Sequence, residues 1–136
     1  HGPRGGDEIN VIKEGNDYGW PFVSYGQPYG AGDYVRPAKT GTHTGYPEPI
    51  KYWVPSIAPT ELVQLPAQGW DSWGRALVLG TLREQVLVFM KMNEKFEITE
   101  EVRLDMNERI RDLEVLSTGA LLATTDSGKL ITVTNG

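Results

Sequence analysis

The chain has no cysteine, and this absence excludes three kinds of chemistry. None of its 136 residues is a cysteine, so disulfide bonds, zinc–thiolate sites and thiol catalysis are excluded. Long apolar runs are also missing, because no stretch approaches the roughly 18 residues that span a membrane. The net charge is −5 and no block of Lys and Arg occurs. Nucleic acid, whose phosphates bind clustered cations, is therefore not an expected partner.

The chain also starts without an initiator Met or a signal-peptide pattern. Its opening run, HGPRGGDEIN over residues 1–10, instead combines glycine, proline and two acids. Gly and Pro adopt special backbone angles, and acids supply the hard oxygen ligands that calcium prefers. We expect a rigid loop that aims oxygens at a cation. A functional loop so close to the first residue predicts that the front part of a larger protein is missing.

Proline and glycine become scarce in the second half. All nine prolines lie at or before Pro66, and twelve of the sixteen glycines lie at or before Gly74. Residues 1–59 are therefore expected to be rich in loops and turns. The stretch 26–49 is the loosest. It is ordered by a metal or by packing of tyrosines (Tyr25, Tyr29, Tyr34 and Tyr46), or it is a mobile insertion.

The second half predicts strand after strand. Apolar or alternating runs occupy residues 61–65, 75–82, 85–92 and 96–104, and then 110–116, 120–125 and 129–134. A four-stranded unit of about 40 residues is the period of a propeller blade. The predicted organisation is a single domain, 1–136. It comprises a loop-rich segment (1–59), one four-stranded blade (60–105) and three strands of a closing blade (106–136).

The predicted fold class is all-β, with antiparallel four-stranded blades of a partial β-propeller of about two blades. The missing eighth strand is expected in an absent N-terminal part, because closed propellers can complete their last blade from both chain ends. A free-standing β-sandwich of about eight strands is the alternative. Open strand edges invite foreign pairing, so a homo-oligomer formed through such edges is a further expectation.

Two arginines on one strand are the main candidates for an anion site. Arg109 and Arg111 are two residues apart, so a strand places them on one face and Ile110 on the other. Guanidinium forks bind carboxylates or phosphates in a bidentate manner. Two such groups side by side would favour a shared anion. A surface salt-bridge network is the alternative.

The order of these runs resembles the soluble pyrroloquinoline-quinone-dependent sugar dehydrogenases, the family of glucose/sorbosone and aldose sugar dehydrogenases. The matching runs are HGPRGGDEIN, NDYGWP (16–21), WVPSIAP (53–59), ALVLGTL (76–82), RIRD (109–112) and GALLATTDSG (119–128). The resemblance implies a six-bladed β-propeller of which this chain is the C-terminal portion. It also implies two cofactors, pyrroloquinoline quinone and calcium, a sugar substrate, and a periplasmic or extracellular location.

The resemblance also implies roles for particular residues. Gly2 and Pro3 would offer backbone carbonyls to the calcium beside the quinone, and Glu8 and Tyr18 match positions that bind a second, structural calcium.

By the same resemblance, Arg109 and Arg111 match the pair that holds the carboxylates of the quinone. Arg83 lies where a lysine occurs in some members, and Trp53 lies near a position that stacks in the cofactor and sugar region.

The catalytic histidine of the family lies upstream of the matching segment, and neither His1 nor His43 corresponds to it. No catalytic residue is therefore assigned in this chain, which is expected to be inactive alone. The competing hypothesis is a non-catalytic β-propeller-type module that binds calcium, sugar or another protein.

Overall fold

The computed structural model describes residues 1–30 and 39–135. The chain divides into two compact units, His1–Ala58 and Pro59–Gly136. The described residues form strands and loops, with a single three-residue 3-10 helix at Asp71–Trp73. The predicted all-β class is therefore confirmed. That the two units make one domain stays a prediction.

The first unit contains only short strands, as its Gly and Pro content predicts. They are β1 (Asp7–Ile9), β2 (Val23–Ser24), β3 (Lys39–Thr40) and β4 (Lys51–Trp53). β1 and β4 pair antiparallel with Asp7 opposite Trp53, and β2 and β3 pair parallel. These ladders are too short to supply a core, so the fold of the unit depends on loop contacts and aromatic packing.

Aromatic rings order the described part of the loose stretch 26–49 and the residues around it. The Tyr25 ring stacks on Tyr52 at a centroid distance of 3.8 Å and on His43 at 5.2 Å. Tyr46 stacks in parallel with Phe22 at 6.4 Å. The expected packing is thus present for Tyr25 and Tyr46, whereas Tyr29 is 67% exposed. Residues 31–38, which include Tyr34, lie outside the described residues.

The second unit consists of two antiparallel sheets. Its strands are β5 (Pro59–Gln64), β6 (Leu77–Thr81), β7 (Val86–Met92), β8 (Ile98–Asp105), β9 (Ile110–Val115), β10 (Leu121–Thr125) and β11 (Leu130–Val133). The first sheet has the order β5-β6-β7-β8 and the second β11-β10-β9. The seven strands predicted for residues 60–136 are therefore present in the predicted four-plus-three grouping. Each sheet is a meander of consecutive strands, as in a propeller blade.

The core of this unit lies between the two blades. Val78, Leu87, Ile110 and Leu121 each have 0% exposed surface and belong to one apolar cluster. Burying such a side chain contributes about 1.5–3 kcal/mol relative to leaving it exposed. The Thr60 hydroxyl also donates to the Ile110 carbonyl at 3.1 Å. This packing fixes the start of β9, and with it the two arginines that flank Ile110.

Candidate functional site

A buried aspartate fixes the loop that opens the chain. Asp7 has no exposed surface. Its Oδ1 accepts from the Gly2 amide at 2.9 Å, its Oδ2 accepts from the Ile57 amide at 2.7 Å, and the Ser56 hydroxyl lies within 3.0 Å of both oxygens. The Ser56 hydroxyl has one proton, so the carboxylate accepts from three donors on two separate segments of the chain. Asp7 therefore holds the opening loop against the segment that carries Ser56 and Ile57.

The opening loop packs its backbone so closely that only glycine fits at two positions. A Cβ on Gly2 would lie 2.3 Å from the Gly5 carbonyl oxygen and 2.8 Å from that of Gly6. A Cβ on Gly26 would lie 2.1 Å from the same Gly5 oxygen and 3.2 Å from Pro3 Cδ. Backbone carbonyl oxygens are thus concentrated around Gly2. This donor set suits a hard cation such as calcium.

Glu8 is held by a buried histidine. Its Oε1 lies 2.7 Å from Nε2 of His43, and its Oε2 accepts from the Asn10 amide at 3.2 Å. His43 is 1% exposed, and its Nδ1 lies 3.2 Å from the carbonyl of Pro47. One lone pair remains on each Glu8 oxygen. The carboxylate can therefore ligate a cation without giving up either contact.

The hydroxyl of Tyr18 is already used within its own loop. It donates to the Val11 carbonyl at 2.7 Å and accepts from the Lys13 amide at 2.7 Å. These two contacts hold the ring within its own loop, and Tyr18 would offer a cation its remaining phenolic lone pair or its backbone carbonyl.

Three of the four predicted metal-site residues line one pocket. This pocket has a volume of about 210 Å³, and its walls are His1, Gly2, Gly6, Glu8, Tyr18, Trp20, Val23, Ser24 and His43. Within residues 1–30 and 39–135, no three His, Asp or Glu side chains form a group that could hold a metal ion. A cation in this pocket would accordingly bind mainly backbone carbonyls, with Glu8 as the charged ligand.

In the second unit, the arginine pair is held by one carboxylate. Arg109 Nε donates to Asp126 Oδ2 at 2.6 Å, and Arg111 Nε donates to Asp126 Oδ1. Both arginines are therefore on one side of the strand, and Ile110 between them is buried in the core, as period-two alternation predicts. The hydrogen bonds from Arg111 and Arg109 hold the pKa of Asp126 below its usual range. The salt-bridge alternative is thus present.

The two acids nearest in sequence are engaged elsewhere. Glu108 accepts from Lys129 Nζ and from the Ser127 hydroxyl, and these contacts lower the pKa of Glu108. Asp112 Oδ1 accepts from the Leu113 amide at 3.0 Å. The carboxylate that bridges the arginines comes instead from the β10–β11 turn.

Arg83 lies in the hairpin between β6 and β7, and its side chain is exposed. The Thr81 hydroxyl closes this hairpin, since it donates to the Val86 carbonyl at 2.9 Å and accepts from the Val86 amide at 3.0 Å. The short gap between the predicted runs 75–82 and 85–92 is therefore a hairpin. A cofactor contact from Arg83 stays a prediction.

Trp53 ends β4 and is 6% exposed. Its indole Nε1 is buried and has no hydrogen-bond partner among the described residues, and Lys51 Nζ lies 5.6 Å from the ring centroid. Stacking of this ring on a ligand stays a prediction.

Sequence reasoning missed three residues that organise these sites. His43 stands between threonines and glycines, which indicates an exposed loop, yet it is buried against Glu8. Asp7 is one of two adjacent acids, and no local signal separates the buried acid from the candidate ligand Glu8. Asp126 belongs to a turn of the type Asp-Ser-Gly, where an acid is expected for turn geometry alone.

The fold and both sites define the class of protein. The described residues form all-β blades of a partial β-propeller, with a pocket lined by Gly2, Glu8 and Tyr18 in one unit and a paired-arginine site in the other. Solved structures carry the same fold. A glucose dehydrogenase crystal structure is 34% identical with a TM-score of 0.86, covering 98% of this chain and 39% of its own. The apo-form of the soluble aldose sugar dehydrogenase from Escherichia coli is 31% identical with a TM-score of 0.86, covering 100% and 40%.

The family described as Glucose / Sorbosone dehydrogenase matches residues 1–132, and the chain belongs to this family. Aldose sugar dehydrogenase YliI of Escherichia coli (strain K12) is 35% identical over 98% of this chain and 36% of its own length. The uncharacterized protein slr1608 of Synechocystis sp. is 31% identical over 96% of this chain and 32% of its own. The chain thus spans about a third of the length of these curated relatives. In the described residues, no helix is long and apolar enough to cross a membrane.

Proposed function

We propose that this chain is the C-terminal part of a pyrroloquinoline-quinone- and calcium-dependent aldose dehydrogenase that oxidises sugars. Family membership supports a sugar dehydrogenase. The observation that carries the cofactor assignment is the pair of guanidiniums held side by side on Asp126. Each arginine donates to Asp126 through Nε, which leaves the Nη groups for a further anion. Arginine forks suit the carboxylates of a flat tricarboxylate such as this quinone.

The opening loop fits the calcium half of the proposal. Its concentrated carbonyls around Gly2, the carboxylate of Glu8 and the carbonyl of Tyr18 are oxygen donors of the kind calcium prefers. Gly2 and Pro3 would hold the calcium beside the quinone, and Glu8 and Tyr18 would hold a structural calcium. Arg83 and Trp53 would add cofactor contacts. When bound, the quinone supplies the hydride acceptor and calcium supplies a Lewis acid.

The residues of this chain bind and orient the cofactors, and none of them is proposed to remove the proton of the sugar hydroxyl. The isolated chain is therefore expected to lack turnover. A dye-reduction assay with aldoses, quinone and calcium tests this, and turnover by the isolated chain would refute it. A periplasmic or extracellular location belongs to the same proposal.

The cofactor assignment is tested by quinone binding. Calorimetry on the calcium-loaded protein should show affinity reduced by at least about tenfold in Arg109→Ala and in Arg111→Ala, because each change removes a charge-assisted contact worth about 1.5–3 kcal/mol. Arg103→Ala is the matched control, since Arg103 is an exposed arginine that also pairs with carboxylates, those of Glu84 and Glu101. Equal affinity for the quinone in all three variants and the wild type would contradict the assignment of the arginine pair to the quinone site.

The second candidate is a module that binds calcium or sugar without redox chemistry. The Trp20 ring favours it, because it lines the pocket of Gly2, Glu8 and Tyr18 and is 52% exposed, as a ring that stacks on a sugar would be. Calorimetry that shows calcium or aldose binding with no quinone binding would select this candidate over the first.

A further inference from the structure

Asp126 accepts hydrogen bonds from the side chains of both arginines, and its own position is fixed from several directions. Its amide donates to the Arg109 carbonyl at 3.0 Å, which ties the β10–β11 turn to the start of β9. On either side of it, the Thr125 and Ser127 hydroxyls lie 3.0 Å apart, and Ser127 donates to Glu108 at 2.8 Å. The carboxylate is therefore presented by a braced turn.

The contacts leave the arginines oriented but still able to bind. Both hydrogen bonds are donated by Nε, one to each carboxylate oxygen, and the Nη atoms of Arg109 and Arg111 make no hydrogen bond to the residues that the structure describes. Arg109 and Arg111 are 47% and 54% exposed. Two long side chains with that much exposure would otherwise sample many rotamers and lose that freedom on binding.

We propose that Asp126 is a positioning residue, which holds Arg109 and Arg111 by their Nε atoms so that their Nη groups form one preorganised site for a planar polycarboxylate. This inference rests on the proposed function, since it assigns the ligand of the arginine pair to the quinone class. Preorganisation raises affinity by reducing the ordering cost of binding. The role differs from simple neutralisation, which would weaken anion binding.

Positioning and neutralisation predict opposite effects of one substitution on the affinity for the anion. Asp126→Asn removes a negative charge and keeps the shape, so a purely electrostatic role predicts tighter binding of a polyanion. An amide offers one acceptor and one donor group, so only one guanidinium would stay held. Positioning therefore predicts binding at least about tenfold weaker. Asp112→Asn is the matched control, because it removes the same charge from β9 at a side chain that bonds only the Leu113 amide.

The experiment measures binding to the full chain by calorimetry with two probes, pyrroloquinoline quinone and benzene-1,3,5-tricarboxylate, which is planar but has no quinone. Ser127→Ala is a second variant, which loosens the turn without changing the charge. It should weaken the binding of both probes by a smaller factor than Asp126→Asn does. Weaker binding in Asp126→Asn than in Asp112→Asn supports the inference. Equal or tighter binding in Asp126→Asn overturns it.

A readout that needs no ligand separates this inference from the proposed function. The Nε–H resonances of Arg109 and Arg111 should be resolved and slow to exchange with water in the wild type and in Asp112→Asn, and fast in Asp126→Asn. Unchanged exchange in Asp126→Asn would overturn the positioning role, whatever the ligand. Slow wild-type exchange with no binding of either probe would instead overturn the ligand assignment and with it the proposed function.

Discussion

Replacing Asp7 by asparagine is the sharpest test of how the opening loop is held. The Asp7 carboxylate has no exposed surface and binds the Gly2 amide, the Ile57 amide and the Ser56 hydroxyl. Asparagine keeps the size of the side chain but replaces one acceptor oxygen by a donor NH₂. That donor must then face either the Gly2 or the Ile57 amide, so a buried backbone N–H loses its acceptor.

The expected loss in the free energy of unfolding follows from these contacts. Loss of one hydrogen bond to a charged acceptor costs about 1.5–3 kcal/mol, and a buried donor without a partner costs about 1–3 kcal/mol. Because the loop at the start of the chain can partly relax, we expect a loss near the lower end, about 3 kcal/mol in the free energy of unfolding. At about 2–4 °C for each kcal/mol, Tm falls by about 6–12 °C.

Urea unfolding and calorimetry in the presence of a chelator measure this loss without a contribution from bound metal. Asp17→Asn is the control, because Asp17 is exposed and caps a local turn through the Gly19 amide at 2.8 Å. Hydrogen exchange at the Ile57 amide reports the local effect. A change below about 0.5 kcal/mol, the range of ordinary surface substitutions, would show that Asp7 does not hold the loop.

Two further predictions concern packing and titration. Gly80→Ala should destabilise the second unit by about 1–3 kcal/mol in urea unfolding, because its Cβ would lie 2.8 Å from Ile110 Cγ2. Gly30→Ala is the control, since a Cβ at that position meets nothing within 4 Å. Equal stability of the two variants would contradict the tight packing around Gly80. The hydrogen bond to Glu48 raises the pKa of Tyr25 to about 12. The stability that this bond contributes should be complete below about pH 10, the ordinary tyrosine value, and should be lost as pH rises through about 12. Ultraviolet titration should show one tyrosine ionising late in the wild type, and in Glu48→Gln the pKa of Tyr25 should return toward the ordinary value. An unchanged titration in Glu48→Gln would refute Glu48 as the cause of the raised pKa.

Periodicity made the second unit predictable. The runs at 75–82 and 85–92 have the length and apolar content of buried strands, and the structure places β6 (Leu77–Thr81) and β7 (Val86–Met92) there. The short gap between them left room only for a hairpin. The face of the arginine pair was predictable for the same reason, since the alternation around Ile110 is a local property of a strand.

The contacts of that pair were not predictable. Asp126 lies 15 residues after Arg111 in sequence, across a hairpin whose exact register sets which turn residue reaches the guanidiniums. The pairing of β9 with β10 shifts register between Thr124 and Thr125. A bulge of this kind re-aims the residues that follow it, and sequence periodicity alone gives no sign of it.

The sequence by itself determined that the chain is all-β, that residues 60–136 form strands grouped as four and three, and that Arg109 and Arg111 share one side. These features follow from local alternation and from where glycine and proline interrupt it. Only the tertiary structure decided that Asp7 is buried, that His43 holds Glu8, and that Asp126 bridges the arginines. Apart from the Gly2 contact of Asp7, those hydrogen bonds join residues 15 to 50 positions apart. The packing of separate segments brings such residues together.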